Sequence, residues 1–254
     1  MIFFLVVLGV LLFSYSFFIE RNLILVKEHK INLDFNGKFV LLSDFHLGLF
    51  KGKHFLERVV KKVNQIEGVS AVFILGDFVY LPEEKNLSDL LSPLREIKYP
   101  TFAIFGNHDM IYKKKLREIL EQMGIVVLEN EWDSIKGTKI KVLGLGDRMA
   151  LRDDISKINL FKKEDNLIVL AHNPDIVLRY KNNIPDITFS GHTHGGQIRI
   201  PFLYKKIIPC KGDFDEGFYF VNNNKVFVSA GLGEVLLPLR FAIPPRIDVI
   251  EIGK

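Results

Sequence analysis

Lys38-Phe39-Val40-Leu41-Leu42-Ser43-Asp44-Phe45-His46 joins an apolar run to two polar side chains set two apart. Apolarity that is continuous rather than alternating marks a strand covered on both faces, as in the parallel sheets of α/β proteins. Such sheets gather their chemistry outside the carboxyl ends of the strands, which is where Asp44 and His46 fall. The arrangement returns twice. Residues 71–75 read as a buried strand ending in Gly76-Asp77, and residues 101–105 as another ending in Gly106-Asn107-His108-Asp109. Helical spacing lies between them: Phe55, Val59, Val63 and Ile66 ahead of Gly68, then residues 87–97, interrupted near Pro93. A helix over 113–123 and a short strand over 125–128 continue the rhythm.

The second half is richer in strands. Residues 132–145 read as a hairpin around Gly137, ending in Gly144-Leu145-Gly146-Asp147. That glycine pair lacks a third glycine and opens no helix, so it is not a dinucleotide fingerprint. A strand at 166–170 leads to His172, and one at 186–189 leads to Ser190-Gly191-His192-Thr193-His194-Gly195-Gly196-Gln197. Short strands are expected at 197–200, 217–221, 225–229 and 246–252, and one within 22–33 enters the domain. The economical architecture is α/β: two packed β-sheets flanked by α-helices, an α/β-β/α sandwich, in one domain over residues 21–254.

Ahead of it, residues 1–19 carry no charge. At 1.5 Å per residue they cover about 28 Å, close to one hydrocarbon core. No Lys or Arg precedes the run and no good small-residue cleavage site follows, so an uncleaved transmembrane helix over residues 1–20 is expected rather than a signal peptide. Arg21, Lys27 and Lys30 follow the span, so the C-terminal domain is expected on the cytoplasmic side of the membrane.

Among the 254 residues there is a single cysteine, Cys210, which excludes an internal disulfide and a thiolate-rich zinc site. The net charge of +4 fits an anionic substrate or an anionic membrane surface. No basic stripe interleaved with aromatics is present, so nucleic acid is not an expected partner.

Five of the seven histidines, His46, His108, His172, His192 and His194, stand in Asp-, Asn- or Gly-bearing motifs at strand ends. Carboxylate, imidazole and amide donors without thiolate suit Mn²⁺, Fe or Zn²⁺. The supply exceeds what one ion needs and would serve two ions about 3.5–4 Å apart.

The ordered set of Asp44-x-His46, Gly76-Asp77, Gly106-Asn107-His108-Asp109, His172 and Gly191-His192-x-His194 resembles the calcineurin-like metallophosphoesterase superfamily over nearly all of residues 38–254. Residues 194–201, Ser229-Ala230-Gly231-Leu232-Gly233, and Leu239-Arg240-Phe241 with Pro244-Pro245 are similar to its membrane-linked bacterial branch, which holds phosphodiesterases and UDP-2,3-diacylglucosamine hydrolases of lipid A synthesis. Tyr80 and Arg246 depart from that pattern, standing where many relatives carry Asp and Glu. The resemblance implies that Asp44, His46, Asp77 and His194 hold one divalent ion, and that Asp77, Asn107, His172 and His192 hold a second, with Mn²⁺ the expected metal and Fe or Zn the alternatives. It further implies a phosphodiester or pyrophosphate cleaved by metal-activated water, with His108 as general acid and Asp109 orienting the His108 ring. A nucleotide-linked lipid is the expected substrate and the bilayer the expected partner. A phosphoprotein phosphatase and a non-catalytic membrane scaffold are the alternatives. Arg199, Arg240 and Arg246 are candidate contacts to substrate phosphate.

Overall fold

The computed structural model describes residues 1–181 and 184–253. Helix α1 (Ile2–Ser14) continues through a π-helical turn (Tyr15–Ile19) and a 3-10 turn (Glu20–Asn22), so the apolar helix runs on to Asn22. Its 21 residues span about 31 Å, and none of Ile2–Ser14 is buried.

The chain then gives β1 (Leu25–Asn32), β2 (Gly37–Leu42), β3 (Leu47–Gly48), α2 (Lys53–Val63), β4 (Ala71–Ile74), β5 (Val79–Tyr80), α3 (Leu87–Leu91), β6 (Thr101–Ala103), α4 (Lys113–Gln122) and β7 (Val126–Val127). The second half supplies β8 (Glu131–Ser134), β9 (Ile140–Gly144), β10 (Asn166–Leu170), β11 (Ile187–Ser190), β12 (Gly217–Val221), β13 (Asn224–Val228) and β14 (Arg246–Gly253). One six-stranded sheet runs β1-β14-β2-β4-β6-β7 and is parallel except where β14 meets β2. The other runs β12-β13-β11-β10-β9-β8 and is antiparallel only at its two outer pairs. β3 and β5 form a small parallel pair.

Both faces of the central strands are buried, and the two-residue period divides them. Phe39, Leu41, Phe73 and Leu75 point between the sheets, where Ile168, Leu170 and Phe189 meet them from the other side. Val40, Leu42, Val72 and Ile74 point outward, where α2 supplies Leu56, Val59 and Val63 and α4 supplies Leu116 and Leu120. This is why the strands read as unbroken apolar runs. Phe73 sits mid-sandwich, with ring centroids 5.3 Å from Phe39, 6.0 Å from Phe102 and 5.8 Å from Phe189.

The cover of the second sheet and residues 197–200 depart from expectation, whereas the interruption expected near Pro93 is present. The outer face of the second sheet is covered by 3-10 segments, Ile155–Leu160 and Pro174–Arg179, which bury Ile158, Ile176 and Val177. Each is six residues long. In residues 87–97 the α-helix stops at Leu91 and Pro93 falls in a following 3-10 turn, as a proline without an N–H requires. Residues 197–200 form no strand. Gln197 has φ 44°, its side chain is spent on the 235–237 loop, and a single bridge joins Ile198 to Phe241.

Candidate active site

The turns after five parallel strands meet at one place. β2 delivers Asp44 and His46, β4 Asp77, β6 Asn107 and His108, β10 His172, and β11 His192 and His194. Five of these residues occupy the left-handed region: Asp44 (φ 53°), His46 (47°), Asp77 (56°), His192 (72°) and His194 (52°). Each such residue costs on the order of 1–3 kcal/mol and persists only where its surroundings impose it. The imposing contacts are visible. The Asp44 amide donates to Gly76 O at 3.0 Å and the His46 amide to Asp77 O at 3.1 Å. The His192 amide donates to both Asp44 carboxylate oxygens at 3.1 Å. Gly191 is required at its position because a Cβ there would collide with Ser43 Oγ and the Asp44 carboxylate.

Ring partners settle which imidazole nitrogens carry protons. His172 Nδ1 lies 2.8 Å from the Leu75 carbonyl, and His192 Nε2 lies 3.0 Å from the Pro209 carbonyl. Carbonyls accept, so both of those nitrogens carry N–H. His172 Nε2 and His192 Nδ1 then face each other at 3.2 Å, so either a proton on His172 Nε2 or a cation must lie between them. His172 Nε2 is also 3.1 Å from Asp77 Oδ2. The second cluster repeats the problem: His46 Nε2 and His194 Nε2 are 3.1 Å apart, the first 3.4 Å from Asp77 Oδ2 and the second 3.5 Å from Asp44 Oδ1. Asn107 Oδ1 is buried with no hydrogen-bond partner among the described residues. Unpartnered buried acceptors are costly, and here they converge with carboxylates in three overlapping sets, Asp44-His46-His194, His46-Asp77-His108 and Asp77-His172-His192. Oxygen and imidazole donors so placed fit divalent cations.

Burial holds the His46 ring down at about 3 and the His192 ring at about 4, and lowers His194 as well. These rings are therefore neutral and able to donate lone pairs. Burial opposes charge on His172 too, but Asp77 outweighs it and raises that ring well above 6.5. Asp77 is itself held below the carboxylate range: burial works against its ionisation, and His172 and His46 overcome it.

His108 is half-buried beside this cluster. Its amide donates to Asp77 Oδ1 at 2.9 Å, and its ring centroid is 5.0 Å from His46 and 5.3 Å from Tyr80. Tyr80, noted in the sequence only as a departure, packs edge-on against both rings. Asp109 does not orient the His108 ring. Its carboxylate accepts the amides of Asp77 and Phe78 at 2.8 Å and of Gly106 at 2.9 Å, tying two ligand-bearing turns together. Burial and the Asp77 charge push the Asp109 carboxyl up, while the Gly106 and Phe78 amides pull it back.

The arginines also differ from expectation. Arg240 is fully buried and donates to the carbonyls of Ala230, Gly233 and Ile243. Arg246 is buried against Asp248 and Glu216. Arg199 is held by Gly195 O at 2.6 Å and Glu216 at 3.1 Å. All three serve the packing of the domain instead of reaching the site. A cleft of about 790 Å³ lies beside His192. Its wall includes Pro209 and Asn173, and Arg148, Arg179, Lys211 and Met149 line it. Cys210 also faces it, its thiol pushed up by burial to about 11 and so unreactive.

Residues 37–196 match the calcineurin-like phosphoesterase family. An uncharacterized metallophosphoesterase of Bacillus subtilis, YkuE, is 31% identical over 94% of this chain and 89% of its own length. Phosphodiesterase YaeI of Escherichia coli is 29% identical over 85% of this chain and 82% of its own. A Danio rerio protein named as a transmembrane protein with metallophosphoesterase domain is 31% identical over 89% of this chain and 55% of its own. The chain spans 60–63% of the length of several other curated relatives.

Proposed function

The chain belongs to the calcineurin-like phosphoesterase family and is a metal-dependent hydrolase, and from that premise we propose that it is held in the cytoplasmic membrane by residues 1–20 and cleaves a phosphodiester or pyrophosphate bond in a nucleotide-linked lipid. UDP-2,3-diacylglucosamine is the best specific candidate, with the domain on the cytoplasmic side. The observation that carries the chemistry is the two pairs of facing imidazole nitrogens set around Asp77.

Asp44, His46, Asp77 and His194 would hold one cation and Asp77, Asn107, His172 and His192 the other, with Asp77 shared. Manganese is the first choice, iron and zinc the alternatives. Two divalent cations there supply Lewis acidity, which lowers the pKa of a water and neutralises charge on the phosphoryl group. The carbonyls of Leu75 and Pro209 fix the ligand tautomers. His108, at the edge of the cluster, gives its ring proton to the leaving oxygen. Asp109 is a positioning residue that fixes the spacing between the turns carrying Asp77 and Asn107. The cleft beside His192 supports a substrate with further anionic groups next to the scissile bond, because Arg148 there makes no ion pair among the described residues and Lys211 is exposed.

The test is turnover by the detergent-solubilised chain with Mn²⁺ on UDP-diacylglucosamine, a glycerophosphodiester, a phosphomonoester and a phosphopeptide. UMP release from the nucleotide lipid should lead the panel. Activity on generic aryl phosphodiesters alone would remove the lipid substrate and leave the phosphodiesterase. Phosphopeptide turnover ahead of every diester would favour a protein phosphatase, and a chain that binds no metal would favour a scaffold.

A further inference from the structure

The apolar helix is not joined to the domain by a loose tether. Its last turn is clamped where the metal-ligand turns lie. Glu20 is buried and accepts the Ile243 amide at 2.6 Å. Arg21 donates to the Phe50 carbonyl at 3.0 Å and pairs with buried Glu234 at 3.2 Å. Buried Lys51 pairs with the same Glu234 at 3.1 Å and donates to the Arg21 carbonyl at 2.5 Å. Phe50 and Lys51 belong to the loop that leaves His46. Gly233, just before Glu234, donates its amide to the Asp44 carbonyl at 2.6 Å. The end of the helix and the first ligand turn therefore share one set of supports.

Around that clamp, large apolar side chains face outward. Tyr80 O accepts the Leu49 amide at 3.1 Å, next to Phe50, and the adjoining Leu81 is 66% exposed. Leu236, just beyond Glu234, is 81% exposed, and the carbonyls on either side of it are held by the Gln197 side chain at 3.0 and 3.1 Å. Gln197 leads into Phe202, 93% exposed, and Ile207, 68% exposed, with Lys205 and Lys206 between them in sequence. Isolated exposed leucines are ordinary. Several exposed apolar side chains on the loops around the exit of an apolar helix, interspersed with lysines, have the composition of a membrane-interface surface.

We infer that the mouth of the metal site faces the bilayer, with Leu81, Leu236, Phe202 and Ile207 seated at the headgroup–acyl boundary of an anionic phospholipid leaflet. The inference rests on reading residues 1–20 as an anchor. A bilayer is the occupant because the helix that enters it leaves the domain within this same surface, and exposed Lys206 complements anionic headgroups while Lys205 pairs with Asp213 at 3.1 Å. An amphiphilic substrate then meets the metal ligands without leaving the membrane.

The experiment uses the full chain in vesicles of phosphatidylcholine and phosphatidylglycerol. In a Trp132→Phe background, one tryptophan is introduced by Leu236→Trp, Phe202→Trp or Lys139→Trp, the last lying before β9 at the end of that strand away from the site. Each variant is checked for vesicle flotation and for hydrolysis of bis(4-nitrophenyl) phosphate as a sign of folding. With brominated phospholipid, Leu236→Trp and Phe202→Trp should lose most of their emission while Lys139→Trp keeps its own. A chain that floats with both rim tryptophans unquenched overturns the inference and leaves the anchor standing. A chain that does not float removes the anchor and the inference together. Unquenched rim positions in a chain that sediments as a dimer in detergent would give the surface to a second copy.

Discussion

Asp77 has three partners. Its Oδ1 accepts the His108 amide at 2.9 Å, and its Oδ2 lies 3.1 Å from His172 Nε2 and 3.4 Å from His46 Nε2. Replacing a carboxylate that lies beside rings of both sets should empty both. Asp77→Asn is expected to lose metal, read by elemental analysis, and more than about 100-fold in turnover, since even an outer-shell partner of a metal ligand is worth 10–100-fold. His108→Ala should keep its metal content and lose about 10²–10⁴-fold in kcat, the range of a positioned general acid; unchanged kcat would end that role. The ligand candidates were legible because each polar side chain directly follows an apolar strand or a glycine turn. The Leu75 and Pro209 carbonyls were not, because every residue carries a carbonyl and only the fold selects two of them. Asp109 was misread for a related reason: its neighbour in sequence is His108, but its hydrogen bonds go to amides of two turns.

At the scale of elements, the strands that could be read are those buried on both faces. β2, β4 and β10 divide their side chains between two cores, so periodicity within them vanishes and continuous apolarity remains. Residues 197–200 misled because Ile198 and Ile200 alternate with polar neighbours, while the positive φ of Gly195, Gly196 and Gln197 turns the chain away from any ladder. The 3-10 cover of the second sheet carries the same apolar residues a helix would, so composition did not separate them. Phe73 shows what joins the layers. Its ring is fully buried and meets Phe189 of the opposite sheet. Phe73→Ala should cost about 3–5 kcal/mol, the usual range for deleting a buried aromatic, measured by denaturant unfolding in detergent. A loss below about 1 kcal/mol, typical of surface changes, would show that the sheets do not depend on this cluster.

For the whole molecule, the join between helix and domain is an electrostatic one and should be visible in pH dependence. Lys51 faces Glu234, Arg21 and Arg240; burial pulls its ammonium down from 10.5 to about 8 against the attraction of Glu234. The folded pKa lies below the unfolded one. Between about pH 8 and 10.5 the unfolded chain holds a proton the folded chain has shed, so this group makes stability rise with pH through that window. Lys51→Met should lack the rise, by an amount on the order of 3 kcal/mol, read as the difference between the two thermal midpoints across the titration. Parallel curves would show that Lys51 titrates normally.

Sheet order also sets the order of assembly. β14 lies between β1 and β2 and is the only partner of β1 among the described residues. A ribosome delivers β1 and β2 long before residues 246–253 exist, so the nascent chain must wait with β1 as an open edge. Open edges invite pairing with other chains. Shielding of β1 by chaperones during translation, and rapid proteolysis of chains cut short before residue 246, follow from that one placement.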